Sequence, residues 1–330
     1  MTGLGDLFPS LRAARPGRDL VAALSLAALA IPEQLATARL AGLPPAQGIA
    51  VFAAASVAMV LVARDRSLSV GADSTTAPLI AAAALTAAPL PATAMIAALV
   101  GAMLLAVSLF RLEWIARLLS KPVAAGMLAG ISAHILIGRL PTALGLEISA
   151  QGIRQTVVAL VQALPGAHLA PLAMTLVVAA VSFLGPLSHG RVPAALIAIL
   201  GAALSAFALD PGGALFPRLS AAEGGFGLGW SPLDPDLLLA LLPLALSIAF
   251  LCLFQTTVVL REAEADSAAL RRNALGAVGL ANLAAAAIGG FAVNASPPRS
   301  ELARVAGATS QLAGLGAALI GLALLLFAPG

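Results

Sequence analysis

Eleven mostly apolar stretches, separated by short polar or Pro/Gly-rich connectors, follow one another from about residue 19 to about residue 328. In helical form, about 20 such residues cross the hydrocarbon core of a bilayer. Within lipid the backbone can satisfy its own hydrogen bonds only as a helix or a closed barrel. The stretches lie at about 19–36, 46–63, 73–88, 92–110, 121–138, 170–187, 192–209, 236–259, 272–288, 296–306 and 309–328. The chain therefore reads as an all-α polytopic membrane protein. Its composition agrees: 60% of residues are apolar and 10% charged, against about a quarter charged in a soluble domain. That balance excludes a disordered chain, a disulfide scaffold and an ordinary cytosolic enzyme. The net charge of +3 does not point to nucleic acid, because the basic residues stand singly between apolar stretches. Their natural partner is the lipid bilayer.

The basic residues also set an orientation. With the N-terminus inside and the spans alternating, thirteen of the 18 Lys and Arg fall on inside loops, four fall outside, and Arg299 fits neither. Residues 1–18, with Arg12, Arg15 and Arg18, read as a cytoplasmic lead-in without the short apolar core and cleavage site of a signal peptide. The expected location is the inner or plasma membrane. An odd number of spans would leave the C-terminus outside, and the stop soon after Phe327 reads as a truncation. Residues 141–169 and 210–235 read as extracellular connectors, and Glu262, Glu264 and Asp266 as part of a cytoplasmic loop. Trp114 and Trp230 stand at span ends, where interfacial anchors are found. Gly126 and Gly130 make a GxxxG on the fifth span, a pattern for close helix packing.

Two spans are broken. In Leu68-Ser-Val-Gly-Ala-Asp-Ser-Thr-Thr-Ala-Pro78 a short extended stretch, Leu68 to Val70, passes through Gly71 to the capping residues Asp73 and Ser74. In Gly289-Gly-Phe-Ala-Val-Asn-Ala-Ser-Pro-Pro-Arg-Ser300 the stretch Phe291 to Val293 leads to a cap at Ser296. Pro297 follows at the first helical position, where its missing N–H costs nothing. Irregular backbone survives at membrane depth only inside protein or beside water. A pair of Gly/Pro-interrupted spans in corresponding halves points to a transporter site. The positive helix ends would favour an anion. Ordinary inter-helix loops are the competing reading.

At these residues the chain resembles the SulP sulfate permease family, solute carrier family 26 in animals. Asp19-Leu-Val-Ala-Ala-Leu, Ile31-Pro-Glu-Gln-Leu-Ala and Leu40-Ala-Gly-Leu-Pro-Pro45 resemble its first-helix signature. Arg66-Ser-Leu-Ser-Val-Gly71 resembles the entry to its third helix. Gly279-Leu-Ala-Asn-Leu, Gly289-Gly-Phe, Ser296, Arg299-Ser300, Gly307 and Gln311-Leu-Ala-Gly314 resemble its ninth to eleventh helices. The resemblance implies a fold of two inverted repeats of seven helices, with half-helices at the third and tenth positions and a C-terminal STAS domain. It implies a core domain of helices 1–4 (19–110) and 8–11 (236–330), and the first half of a gate domain (111–235). Helices 12–14 and the STAS domain would lie beyond this chain, and the full-length form would be a homodimer. The substrate would be a small inorganic anion, sulfate by default, held between the N-termini of the two half-helices. Matched position by position, Gly71, Ala72, Asp73, Ser74, Ser296, Arg299 and Ser300 would bind it, with Glu33 beside Gln34 on the first helix and Gln255 on the eighth.

Arg299 is the central residue of that expectation. A guanidinium at membrane depth needs compensation, which an oxyanion supplies through paired hydrogen bonds. The competing account is an internal ion pair with Asp73 or Glu301. The chain also departs from the family, which usually has Gln at Glu33, a small residue at Asp73 and Phe-Ser at Pro297-Pro298. The prolines leave only the Arg299 and Ser300 amides as donors in that turn. Glu33, Asp73 and Arg299 sum to one negative charge, so the reading includes coupling to H⁺ or Na⁺ at Asp73 or Glu33. The competing functions are a non-transporting fragment, a nucleobase permease of the same fold, and an intramembrane hydrolase using Ser74 or Ser300 with His134. No cofactor or metal is expected, since His134, His168 and His189 share no ligand spacing, there is no Walker motif, and Cys252 is the single cysteine.

Overall fold

The computed structural model describes residues 9–11, 14–84, 89–118, 121–146, 148, 153–188, 198, 201–202, 204–205, 235–263 and 267–327. Its helices are α1 (Pro16–Leu40), α2 (Pro45–Val62), α3 (Ala77–Ala84), α4 (Pro89–Leu109), α5 (Lys121–Ala143), α6 (Ile153–Ala163), α7 (Leu169–Ser188), α8 (Pro235–Glu262), α9 (Ala268–Ala287), α10 (Pro297–Val305) and α11 (Leu312–Phe327). Two short strands, β1 (Val70–Gly71) and β2 (Asn294–Ala295), precede the half-helices α3 and α10. Among the described residues α1, α2, α8 and the part of α4 from Ala92 to Leu109 are each long and apolar enough to cross a membrane.

The backbone follows from local chemistry. Pro at the first helical positions opens α1, α2 and α10, where no N–H is needed. Glycine closes α9 and α10. Gly289 (φ +69°) and Gly307 (φ +83°) take the left-handed turn that lets their own amide and the next one bond back to the last carbonyls. The second broken segment is thus bracketed by two glycines whose conformation other residues resist.

The chain divides into two compact units, residues 1–120 with 220–330, and residues 121–219. In the first, α4 lies along α9, α1 packs on α2 and α11, which also meet each other, and α2 packs on α9. Small residues make these approaches possible. A Cβ on Gly101 would come within 2.8 Å of the Gly279 carbonyl, and one on Gly48 within 2.1 Å of the Gln34 carbonyl. The core is largely Ala, Val, Leu and Ile, and Arg299 is the largest of its fully buried side chains. In the second unit α5 packs against α6 and α7, and the His168 amide donates to the Leu144 carbonyl at 2.9 Å.

Several expectations are corrected. The stretch 141–169 is not a plain connector: α6 forms within it and meets α7 at a 116° bend. Its apolar residues Ile153, Val157, Leu160 and Val161 recur at helical spacing. The strands lie at Val70–Gly71 and Asn294–Ala295 rather than at 68–70 and 291–293. The third span begins as regular helix at Ala77, because residues 74–76 form a turn held by Asp73. Gly126 and Gly130 are exposed and a Cβ on either would meet nothing within 4 Å, so the close crossing is made by Gly101 and Gly279 instead. Most of 192–209, all of 210–234, and Arg12, Arg191, His189, Trp230, Glu264 and Asp266 lie outside the described residues, as does the side chain of His134.

Candidate functional site

The two broken spans meet. β1 and β2 pair antiparallel, Val70 opposite Ala295 and Gly71 opposite Asn294. The pairing continues past the ladder: the Ser296 amide donates to the Ser69 carbonyl and the Ser69 amide to Ser300 Oγ, both at 3.0 Å. The N-terminal ends of α3 and α10 therefore flank one short ladder. Gly71 is required there, since a Cβ would stand 2.8 Å from the Phe52 ring and 2.9 Å from Gln34 Oε1.

Side-chain amides replace the strands that a two-residue ladder lacks. Wholly buried Gln34 holds both polar groups of Ala72: Nε2 donates to its carbonyl at 3.0 Å and Oε1 accepts from its amide at 2.7 Å. On the other repeat Asn282 does the same for Val293, at 2.9 and 3.0 Å. Gln311 donates to the carbonyls of Asp65 and Leu68, and Gln47 to that of Gly289. Each clamp satisfies buried backbone that would otherwise be costly.

Asp73 begins α3. Its Oδ1 accepts from the amide and hydroxyl of Thr75, and its carbonyl from the amides of Thr76 and Ala77. Gln255 bridges the two repeats, with Nε2 donating to Thr75 Oγ1 at 3.0 Å and Oε1 accepting from Asn294 Nδ2 at 2.8 Å. Ser74 is half-buried, whereas Ser296 and Ser300 are buried. The Ser300 amide, one of the two expected donors, is spent on the Ser296 carbonyl at 2.9 Å. The Ala72, Thr75, Thr76 and Ala77 amides are engaged as well.

The guanidinium is only partly engaged. Arg299 is completely buried, and its Nη1 lies 3.0 Å from both the Ala72 carbonyl and Glu33 Oε2. Nε and Nη2 meet no hydrogen-bond partner among the described residues. These two nitrogens form the side edge of the group, whose parallel N–H bonds suit the two oxygens of an oxyanion. A buried donor left unmade costs about 1–3 kcal/mol, and more when charged. The partner of Arg299 is thus Glu33, neither of the two carboxylates the sequence suggested. Asp73 caps α3, and Glu301 accepts from Arg304 Nε at 2.9 Å.

Residues 17–330 match the model of the Sulfate permease family. The chain belongs to the sulfate permease family. Among curated relatives it is 32% identical, over 324 residues, to the probable sulfate transporters of two Mycobacterium tuberculosis strains, CDC 1551 and H37Rv. The match covers 94% of this chain and 57% of each relative, so the chain spans little more than half their length. Among solved structures, the transmembrane domain of the cyanobacterial bicarbonate transporter BicA shares its fold with a TM-score of 0.75 at 19% identity, covering 98% of this chain and 85% of that one. The murine anion transporter Slc26a9 in its inward-facing state gives 0.74 at 18% identity, covering 97% and 59%. The all-helical architecture with two half-helices is therefore that of known sulfate permease and SLC26 membrane domains. The curated relatives are transporters, not enzymes.

For a sulfate permease family member, the structure brings together Glu33, Gln34, Gly71, Ala72 and Arg299 directly, and Asp73, Gln255 and Asn294 through Thr75. Asn294, Ser69 and Thr75 had been given no role in the site. A signal for Asn294 exists: it is the lone amide in the apolar run Phe291–Ala295.

Proposed function

We propose that this member of the sulfate permease family is a secondary active transporter of small inorganic anions, with the anion bound between the N-termini of α3 and α10. The observation that carries the reading is the unpartnered Nε–Nη2 edge of the wholly buried Arg299. The positive ends of two half-helices add to the attraction. Sulfate is the default cargo, supported by the naming of the curated relatives, and bicarbonate is the next choice, supported by the likeness to BicA. Gly71, Ala72, Ser74, Ser296 and Ser300 shape the site, while Gln34 and Gln255 hold its walls.

In this reading the unit of residues 1–120 and 220–330 is the core, and that of residues 121–219 belongs to the gate. Rocking of one against the other exposes the site alternately. The N-terminus lies in the cytoplasm, the protein sits in the inner or plasma membrane, and the full-length form is a homodimer. A cation, H⁺ or Na⁺, enters with the anion at Glu33 or Asp73, because the three formal charges of the site sum to one negative. The test is uptake of labelled sulfate into proteoliposomes. Arg299→Ala abolishes uptake with insertion intact, and Arg299→Lys keeps a part of it, since the charge survives and the fork does not. Equal uptake by wild type and both variants overturns the reading.

A further inference from the structure

Buried polar atoms without a partner gather on one short piece of chain. Among the described residues they include Asn294 Oδ1, Ser296 Oγ, and Arg299 Nε and Nη2, all at the entry to α10. We infer that Asn294 is a specificity-determining residue of this site. Its side-chain oxygen selects an oxyanion that carries an O–H, in the simplest cases hydrogen carbonate or hydrogen phosphate, over one that carries none, such as sulfate. The inference rests on the reading of Arg299 as the anion-binding group and names the class of oxyanion that fits beside it.

The orientation of the Asn294 amide follows from a chain of hydrogen bonds that begins at Asp73. A carboxylate only accepts. The Thr75 hydroxyl therefore spends its hydrogen on Asp73 Oδ1. Its oxygen is left to accept, and it takes Gln255 Nε2 at 3.0 Å. With its amino group so fixed, Gln255 turns Oε1 toward Asn294 and accepts from Nδ2 at 2.8 Å. Reversing either amide would set oxygen against oxygen along this chain. Asn294 is thus held with Nδ2 toward α8, and Oδ1 has no partner among the described residues although the residue is 0% exposed. A buried acceptor left without a donor costs free energy, which a ligand that donates to it recovers.

The acceptor lies beside the guanidinium. Asn294 stands opposite Gly71 in the ladder, and the next residue, Ala72, holds Arg299 Nη1 through its carbonyl at 3.0 Å. The two groups are anchored at adjacent residues. Ser296 keeps extended backbone (φ −106°, ψ 116°) two residues on from Asn294, which puts both side chains on one face. Its hydroxyl either donates or accepts. The entry to α10 therefore presents an acceptor, a hydroxyl of either sense and the two donors of the fork. An oxyanion with one hydrogen carries the matching set: its O–H donates to Asn294 and its other oxygens accept from Arg299. Sulfate also meets the fork, but it sets an oxygen against Asn294 Oδ1. A site built to bond a ligand's O–H rejects the analogue that lacks it.

Calorimetric titration of the purified chain in mildly alkaline buffer tests this with two matched pairs of potassium salts. Hydrogen phosphate and sulfate are both tetrahedral dianions there, and hydrogen carbonate and nitrate are both planar monoanions. Only the first of each pair carries a hydrogen. The wild type is expected to bind the hydrogen-bearing member of at least one pair about 10–100-fold more tightly, and the pair that binds more tightly tells a tetrahedral cargo from a planar one. Asn294→Ala is expected to bring that ratio close to one. Asn294→Asp, which still presents an oxygen, keeps the ratio while its charge weakens both anions. The ratio reports the wall rather than the fold, since misfolding lowers both affinities together. Should Asn294→Ala bind neither anion, Gln255→Leu carries the same expectation, because it frees the Asn294 amide to turn its N–H groups inward. A wild type without the preference, a wild-type ratio in Asn294→Ala or Gln255→Leu, or loss of all binding in both variants overturns the inference, while loss of binding in Arg299→Ala leaves the anion site standing. Wild-type affinity in Arg299→Ala, or no binding of any of the four anions by the wild type, overturns the anion site and this inference with it.

Discussion

Arg299 and Glu33 illustrate what single residues disclose. An arginine that no loop could accommodate was visible in the sequence, because hydropathy places it at membrane depth. Its partner was not, since helical spacing says nothing about a residue on another helix more than half the chain away. The two carboxylates nearest in motif or in sequence, Asp73 and Glu301, turned out to serve a helix cap and a surface pair. Gly71 was legible for a simpler reason: a glycine at the entry to a broken helix marks a close approach. Adding one methyl group there pushes on Phe52 and on the Gln34 oxygen that holds Ala72. Gly71→Ala is expected to cost about 1–3 kcal/mol, read as a lower melting temperature in detergent, together with weaker sulfate binding. Asp19 makes a comparable case at the other end of α1. Its buried carboxylate accepts from the amides and hydroxyls of both Thr309 and Ser310. Asp19→Ala strands two backbone donors at the start of α11 and is expected to destabilise by about 2–3 kcal/mol, checked by the same thermal measurement. Restoration of stability by Asp19→Asn would be partial, because an amide oxygen is the weaker acceptor.

Helices were read better than their contacts. Long apolar stretches gave α1, α2, α4 and α8 to within a few residues, since length and hydropathy alone decide them. The half-helices were found because Pro and Gly punctuate them. α6 was missed because an amphipathic helix of 11 residues does not show in a search for spans. Which small-residue pair forms a close crossing was also invisible, since GxxxG is a pattern within one helix and the Gly101–Gly279 approach involves one glycine from each of two. That contrast can be measured. Gly101→Ala would put a Cβ 2.8 Å from the Gly279 carbonyl and is expected to destabilise by about 1–3 kcal/mol. Gly126→Ala meets open space and is expected to be neutral, or stabilising by up to about 1 kcal/mol through helix propensity. Reversible unfolding in mixed micelles distinguishes the two. Equal losses would show that Gly126 packs as the sequence pattern suggests.

Hydrogen bonds on one face of the first unit bring its basic residues together. The Arg64 amide donates to Asn273 Oδ1, and Asn273 donates back to the Val62 carbonyl, so the end of α2 meets the start of α9. Ser108, near the end of α4, donates to the Arg272 carbonyl. The Arg15 amide donates to Thr309 Oγ1, and Gln311 reaches the Asp65 carbonyl. Arg15, Arg18, Arg64, Arg66, Arg111, Arg271 and Arg272 consequently stand at one end of this unit, while Arg39 stands at the other end of α1. The sequence reading expects these seven on inside loops and Arg39 on an outside one. Basic residues favour the cytoplasmic side, so that end is expected to face the cytoplasm. The single cysteine makes the test clean. Cys252 is fully buried with its Sγ toward the Val293 carbonyl, and a membrane-impermeant maleimide should leave it unlabelled in the folded protein. In a Cys252→Ala background, Arg66→Cys places a thiol at an exposed position of the α2–β1 loop. It should react in inverted membrane vesicles and stay unlabelled in intact cells. Labelling from outside the cell would reverse the orientation.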